Sequence, residues 1–102
     1  MNLFVIPGIK KSIEVTAEEI IRVEAISNYS RIYLSNGKNI IAAKVLHWFE
    51  DTLPTGMFTR VHRSHLVNKL FVQQINGTQS KSLLLYNGES IAISRRKRLS
   101  SI

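Results

Sequence analysis

The dipeptide Asn-Gly occurs three times in this chain of 102 residues, at positions 36–37, 76–77 and 87–88. Asn36-Gly37 lies between two apolar runs, where Asn-Gly is a strong signal for a β-hairpin, because both central positions of a type I′ turn need positive φ. Asn87-Gly88 predicts a second hairpin, and Asn76-Gly77 ends another strand. A chain with these turns is expected to reverse direction repeatedly in short strands.

The segments between the turns have the alternation typical of β-strands. In residues 20–27 the alternation predicts Ile21, Val23 and Ala25 on one face of a strand and Arg22 and Glu24 on the other. Similar short runs occupy residues 2–6, 13–15, 31–35, 39–42, 70–75, 81–86 and 90–93. About eight short strands predict a mostly antiparallel β domain.

One segment has helical periodicity instead. Ala42, Leu46, Phe49 and Leu53 are spaced by 4, 3 and 4 residues, and Pro54 follows them. This pattern predicts one main helix over about residues 43–53, whose apolar stripe covers a face of the sheet. A helix that binds a partner is the alternative. A short helix or a tail is expected at the C-terminus.

Length and composition predict one domain over residues 1–102 with a single core. The chain has no cysteine, which excludes disulfides and Cys-type zinc sites. It also lacks an apolar run of roughly 18 residues and a signal peptide, so the expected location is the cytoplasm, without a membrane partner.

The charge is strongly segregated. Residues 1–51 contain six Lys/Arg and six Asp/Glu, whereas residues 52–102 contain eight Lys/Arg and one acidic residue, so the whole excess of +7 lies in the second half. A segregated basic surface indicates a polyanionic partner such as DNA, RNA or acidic lipid.

The stretch 58–68 (FTRVHRSHLVN) concentrates arginine and histidine in what its small polar residues suggest is a loop. His62 and His65 could suggest metal binding or a nuclease, but zinc needs at least three protein ligands, and a nuclease would need a carboxylate cluster. We therefore expect no enzyme, no metal and no cofactor, and a structural role for His62. Basic side chains on such a loop favour contact with an anion.

Two further segments have the same character. Asn28, Ser30 and Arg31 lie between two strands, and asparagine and arginine are suited to bidentate base readout, although a polar turn has the same composition. Ser94 is a plausible N-cap for Arg95–Arg98, where cations oppose the helix dipole unless a phosphate compensates them. A solvated tail is the alternative. No helix-turn-helix or zinc-finger pattern is present.

The order of these segments resembles the LytTR DNA-binding domain of bacterial response regulators. The resemblance covers about residues 5–100 and rests on the segments IIRVEAISNY (20–29), FEDTL (49–53), FTRVHRSHLVN (58–68) and IAISRR (91–96). It implies short antiparallel sheets in an elongated sandwich with little helix. It also implies binding to double-stranded DNA, with loops in successive major grooves.

The resemblance also implies residue roles. The base-contacting residues would be Tyr29 or Ser30, Arg63 and Arg95, and the DNA backbone would be contacted by Asn28, Arg31, Arg60, Lys69, Arg96 and Arg98. His62, Ser64 and Asn68 would shape the loop.

Family members usually carry an N-terminal receiver or sensor domain, and no such domain is recognised in this sequence. The chain is therefore interpreted as an isolated domain of a longer parent protein or as a stand-alone regulator. Members typically bind paired direct repeats, which implies a homodimer that is weak or depends on DNA. The alternatives are an RNA-binding β module, which would need exposed aromatic residues, and a module that binds an acidic protein.

Overall fold

The computed structural model describes residues 3–77 and 81–94. In these ranges the strands are β1 Leu3–Pro7, β2 Ser12–Thr16, β3 Ile20–Ile26, β4 Tyr29–Leu34, β5 Asn39–Ala42, β6 Phe58–His62, β7 His65–Asn68, β8 Val72–Asn76, β9 Ser82–Leu85 and β10 Ser90–Ala92. The helix α1 spans Leu46–Thr52, and single 3₁₀ turns span Ala17–Glu19 and Lys69–Phe71. The C-terminal helix expected from the sequence lies outside the described residues.

The strands form three antiparallel sheets. A five-stranded sheet in the order β5-β4-β3-β7-β6 lies at the centre, and β1-β2 and β10-β9-β8 form sheets of two and three strands. The overall dimensions are 42 × 27 × 23 Å. The prediction of a mostly antiparallel β fold with one main helix is confirmed.

Both faces of the central sheet are buried, each against a different layer. On one face Val23, Ile32 and Leu66 pack with Phe49 of α1 and Ile6 of β1. On the other face a second cluster joins the central sheet to the three-stranded sheet, and its buried members are Ile21, Val61, Val67, Leu83, Leu85, Ile91 and Ile93. Strands buried on both faces explain why apolar residues are not confined to alternate positions.

The predicted alternation in β3 is wrong for Ile21, which does not lie on the same face as Val23. The pairing of β3 with β4 shifts register between Ile20 and Arg22, which is a β-bulge. A bulge adds one residue to a strand and changes the side on which the preceding residues lie. Ile21 therefore packs in the second core, whereas Val23 packs in the first.

The helix is shorter than the predicted range of residues 43–53. The Ala43 amide donates to the Pro7 carbonyl at 2.8 Å, and the Lys44 carbonyl accepts from the Ser30 hydroxyl at 2.7 Å. These bonds hold the backbone before Val45 outside the helix. At the other end Leu53 has extended backbone angles, as expected for a residue before proline.

The Asn-Gly hairpins are real, but the predicted type I′ turn is wrong. Among the described non-glycine residues only Ser27 has positive φ, so Asn36 and Asn87 do not, whereas Gly37 and Gly88 have φ of 88° and 91°. The Gly37 amide donates to Leu34, and the Leu34 amide donates to Lys38. This is the pattern of a turn followed by a glycine bulge, in which only the glycine needs positive φ.

The stretch 58–68 is a hairpin rather than a loop. β6 and β7 pair through Phe58↔Asn68 and Thr59↔Val67, and the chain reverses at Arg63-Ser64. Thr59, Val61, Leu66, Val67 and Asn68 are buried, because the strands lie inside the central sheet and at its edge. Only the reversal presents its side chains outward.

Candidate nucleic-acid interface

Three parts of the chain meet at one end of the central sheet. The β3–β4 reversal at Ser27-Asn28 and the β6–β7 reversal at Arg63-Ser64 lie side by side, because β3 and β7 are neighbours. The Ala25 amide donates to the Ser64 carbonyl at 2.9 Å and joins the two. β5 ends at the same place, next to Lys44. We call this end, formed by residues 27–29, 62–65 and 43–44, the turn edge.

Ser94, the last described residue, lies beside the turn edge. The Ser94 amide donates to the Val61 carbonyl at 2.7 Å, so the chain after β10 departs from the outer side of β6, next to the β6–β7 reversal. Arg95, Arg96 and Arg98 lie outside the described residues. Two of the three segments nominated from the sequence are thus brought to one end of the sheet, and Ser94, which precedes the third, lies beside them.

The first reversal presents one of its two nominated base-contacting residues. Ser27 has φ of 52°, a left-handed conformation that is uncommon for a non-glycine residue. Tyr29 is 47% exposed, whereas Ser30 is 0% exposed and its hydroxyl donates to the Lys44 carbonyl at 2.7 Å. The structure therefore leaves Tyr29 and Asn28 accessible and gives Ser30 a role in fixing the end of β5.

At the second reversal Arg63 is exposed, and its neighbours are tied to one another. The Arg60 guanidinium lies 2.5 Å from Glu50 Oε1 and donates to the carbonyls of Arg63 at 2.6 Å and His62 at 3.3 Å. The Ser64 amide donates to Nδ1 of His62 at 3.1 Å. His62 and Ser64 thus shape the reversal, as the resemblance implies, and Arg60 contacts protein groups.

The two remaining backbone-contact candidates differ in position, because Arg31 lies on β4 shortly after the first reversal, whereas Lys69 lies far from both reversals. Arg31 is half-buried on β4 opposite Glu24, and its Nε is buried with no hydrogen-bond partner among the described residues. Lys69 follows the far end of β7, about 13 Å from the turn edge at the usual rise per strand residue. The structure does not bring Lys69 to the turn edge.

A buried polar cluster lies behind the turn edge. Arg22 is 6% exposed and donates from Nε and Nη2 to the carboxylate of Glu89 at 3.2 and 2.8 Å. Its guanidinium also stacks 3.8 Å from the centroid of the Tyr33 ring, and the Tyr33 hydroxyl donates to Glu24 at 3.0 Å. The sequence predicts Arg22 on the strand face opposite Val23, and the three-stranded sheet that carries Glu89 covers Arg22 on that face.

The surroundings of Arg22 shift the pKa values of two nearby groups, Glu89 and His65. Hydrogen bonds from Arg22 lower the pKa of the Glu89 carboxyl. Burial, reinforced by the positive charge of Arg22, lowers the pKa of His65. His65 Nδ1 is buried without a hydrogen-bond partner among the described residues. A neutral His65 therefore stands beside the arginine, so the net positive charge of the region comes from arginine and lysine.

Sequence reasoning missed Lys44. It lies at the turn edge after β5, with its ammonium 5.6 Å from the centroid of the Trp48 ring. No local motif marks this lysine, since its position depends on the hydrogen bond between Ser30 and its own carbonyl.

Within the described ranges, no group of three or more His, Asp or Glu side chains is arranged to hold a metal ion. In the same ranges, no helix is long and apolar enough to cross a membrane. The arrangement at the turn edge is suited to contacting an extended anion through the exposed side chains of Asn28, Tyr29 and Arg63 and the half-buried Lys44.

In the described ranges, the exposed polar and basic side chains of the turn edge come from reversals of a β-sheet and not from the helix α1. The family model of the LytTr DNA-binding domain matches residues 10–100. The chain therefore belongs to the LytTR family of DNA-binding domains, whose role is in transcription regulation.

A solved structure supports the fold. It is a LytTr DNA-binding domain from Bacillus cereus whose parent is named as a methyl-accepting/DNA response regulator. The TM-score is 0.79 at 23% sequence identity, and the alignment covers 93% of this chain and 88% of that one. A comparison with curated protein sequences gives no match.

Proposed function

We propose that this domain binds double-stranded DNA sequence-specifically and without catalysis, as the output domain of a transcriptional response regulator. Family membership supports DNA binding in general. The observation that carries the finer proposal is the convergence on the turn edge of two exposed reversals and of Ser94, which precedes the C-terminal basic segment. Such a proposal implies action in the cytoplasm, where the DNA is.

Arg63 and Tyr29 are the proposed base-contacting residues at the turn edge, and Arg95 is a third outside the described residues. An arginine that donates to guanine O6 and N7 is worth about 1–3 kcal/mol of discrimination. Because Ser30 is buried and hydrogen-bonded, we leave it out of this set.

The proposed contacts to the DNA backbone come from Asn28, Arg31 and Lys44, with Arg96 and Arg98 beyond the described residues. Lys44 replaces Lys69, because Lys44 lies at the turn edge and Lys69 at the opposite end of β7. These contacts fix the register of the domain on the duplex without reading sequence.

The size of the domain is compatible with binding along the DNA axis. The long dimension is 42 Å, whereas successive major grooves on one face of B-DNA are about 34–36 Å apart. Because the long dimension exceeds this spacing, we propose that loops of one domain enter successive major grooves. We further propose that two copies bind paired direct repeats as a dimer that depends on DNA, and that a receiver domain in the parent protein controls the arrangement.

The test is selection of duplexes from a random library, followed by binding of the selected duplex and of random DNA at several salt concentrations. Arg63→Ala is expected to bring the two affinities closer together. Lys44→Ala is expected to weaken both alike and to lower the salt slope by about one. If no duplex is preferred over random DNA, the proposal fails. Stronger binding of single-stranded RNA or of an acidic polypeptide would point to those partners instead.

A further inference from the structure

Arg60 connects the helix to the reversal that presents Arg63. Its Nη1 lies 2.5 Å from Glu50 Oε1, its Nη2 donates to the Arg63 carbonyl at 2.6 Å, and its Nε donates to the His62 carbonyl at 3.3 Å. One guanidinium therefore bonds to the carboxylate of α1 and to two consecutive carbonyls of the reversal. The guanidinium group is planar and rigid. Bonds from all three of its nitrogens therefore fix the position of the reversal relative to the helix.

Arg60 reinforces a reversal at which the strand pairing is irregular. The register of β6 and β7 shifts between Arg60 and His62, and the regular ladder is interrupted there. The Ser64 carbonyl accepts from Ala25, whereas the carbonyls of His62 and Arg63 accept from Arg60. One side chain thus holds two consecutive carbonyls of the reversal.

Glu50 in turn holds the arginine. The Glu50 side chain is 34% exposed and the Arg60 side chain 28%, so both are partly shielded from solvent. An arginine that already donates to a carboxylate and to two carbonyls has its charge largely compensated. Such a group is poorly placed to donate to a DNA phosphate as well.

We propose that Glu50 and Arg60 are positioning residues, which hold the β6–β7 reversal in the conformation that directs Arg63 toward a base. This inference rests on the proposed DNA-binding function. It replaces the expectation that Arg60 contacts the DNA backbone. A preformed reversal loses less conformational freedom on binding, so the pair acts on discrimination between sequences rather than on general attraction to DNA.

Glu50→Gln is the informative variant, because it removes the charge of the carboxylate and keeps its shape. Asp51→Asn is the matched control: it removes the same charge from the next residue, where the carboxylate lies 3.3 Å from His47. Both variants raise the net charge by one, so a difference between them cannot come from general attraction to DNA. Equal thermal unfolding of the two would show that the comparison is free of misfolding.

The first readout needs no DNA. Amide hydrogen exchange at Arg63 and Ser64 is expected to accelerate in Glu50→Gln and to stay at the wild-type rate in Asp51→Asn. If exchange in Glu50→Gln is unchanged, the pair does not hold the reversal and the inference is overturned, whatever the domain binds.

The second readout uses the selected duplex and random DNA. Glu50→Gln is expected to lower the ratio of the two affinities roughly 3- to 30-fold, less than the complete loss of one arginine–guanine contact, while Asp51→Asn keeps the ratio. Arg60→Ala is expected to lower the ratio as well and to leave the salt slope unchanged. A slope smaller by about one, with equal loss on both DNAs, would mean that Arg60 contacts a phosphate and would overturn the inference. Absence of any preferred duplex for the wild-type domain would instead overturn the proposed function.

Discussion

Arg22 and Glu89 are 67 residues apart in the chain and form a two-point ion pair, with Nε and Nη2 at 3.2 and 2.8 Å from the two carboxylate oxygens. Arg22 belongs to the central sheet, and Glu89 follows the glycine turn between β9 and β10. The pair therefore fastens the three-stranded sheet to the central sheet, behind the turn edge. The ion pair thus joins the same two sheets that the second apolar cluster joins.

We expect Glu89→Gln to destabilise the domain. The change weakens both hydrogen bonds and removes the nearer of the two carboxylates beside the largely buried guanidinium, since Glu24 remains at 4.0 Å, at a cost of about 1–3 kcal/mol. The measurement is the midpoint of urea unfolding. Glu18→Gln, an exposed acid in the first 3₁₀ turn, removes the same charge and should leave the midpoint unchanged. Equal midpoints for the two variants would show that the ion pair adds nothing to stability.

Stability should fall as the pH is lowered. The folded-state pKa values of His65 and Glu89 both lie below the ordinary values of 6.5 and 4.5. The unfolded chain therefore binds more protons than the folded one, and stability rises with pH across each interval. The contribution of His65 is complete above 6.5 and is lost as the pH falls through its folded-state pKa, and that of Glu89 is lost correspondingly below 4.5.

Urea unfolding at a series of pH values measures this dependence, and His65→Gln isolates the upper interval. This variant should lose the part of the dependence that begins near pH 6.5. His47→Gln is the control, because its ring is exposed on α1 with a side-chain exposure of 75%. A profile that is the same in His65→Gln and in the wild type would contradict the assignment to His65. Arg22, Glu24, His62 and Glu89 all face His65 and set its environment.

The predictions from sequence succeeded where the signal was local. Alternation and Asn-Gly turns depend on neighbouring residues, so the antiparallel strands and hairpins were predictable. The bulge at Ile21 was not, because it is a property of the pairing between two strands. The same reason explains the burial of Arg22, whose partner Glu89 is distant in sequence.

The candidate site shows the same division. The exposure of Arg63 follows from its place in a polar reversal, and composition alone indicated it. The alternation of β4 places Ser30 on the same buried face as Ile32 and Leu34 and Tyr29 on the opposite face, but the bond from Ser30 to the Lys44 carbonyl joins residues 14 apart and has no local signal. The start of the helix at Leu46 likewise depends on bonds made by Pro7 and Ser30.

Asn68 should be among the most sensitive polar residues. It is fully buried, its amide donates to the Ile20 carbonyl at 2.9 Å and its oxygen accepts from the Leu70 amide at 2.9 Å. Asn68→Ala removes the donor from the buried Ile20 carbonyl, at about 1–3 kcal/mol, and also removes the part-buried bond from the Leu70 amide. Thermal unfolding measures the loss. Asn39→Ala, at an exposed position of β5, is the control, and an equally small effect of both changes would contradict the role of Asn68.

Tyr29 and Ser30 should separate recognition from stability. Tyr29→Ala removes an exposed ring from the turn edge, so it should weaken binding to the selected duplex with little change in thermal unfolding. Ser30→Ala leaves the Lys44 carbonyl without its donor, which should cost about 1–3 kcal/mol of stability. Its preference for the selected duplex over random DNA should remain. Affinities for both DNAs and unfolding midpoints of both variants provide the check. A changed sequence preference in Ser30→Ala, with stability intact, would mean that the hydroxyl leaves the Lys44 carbonyl and reads a base.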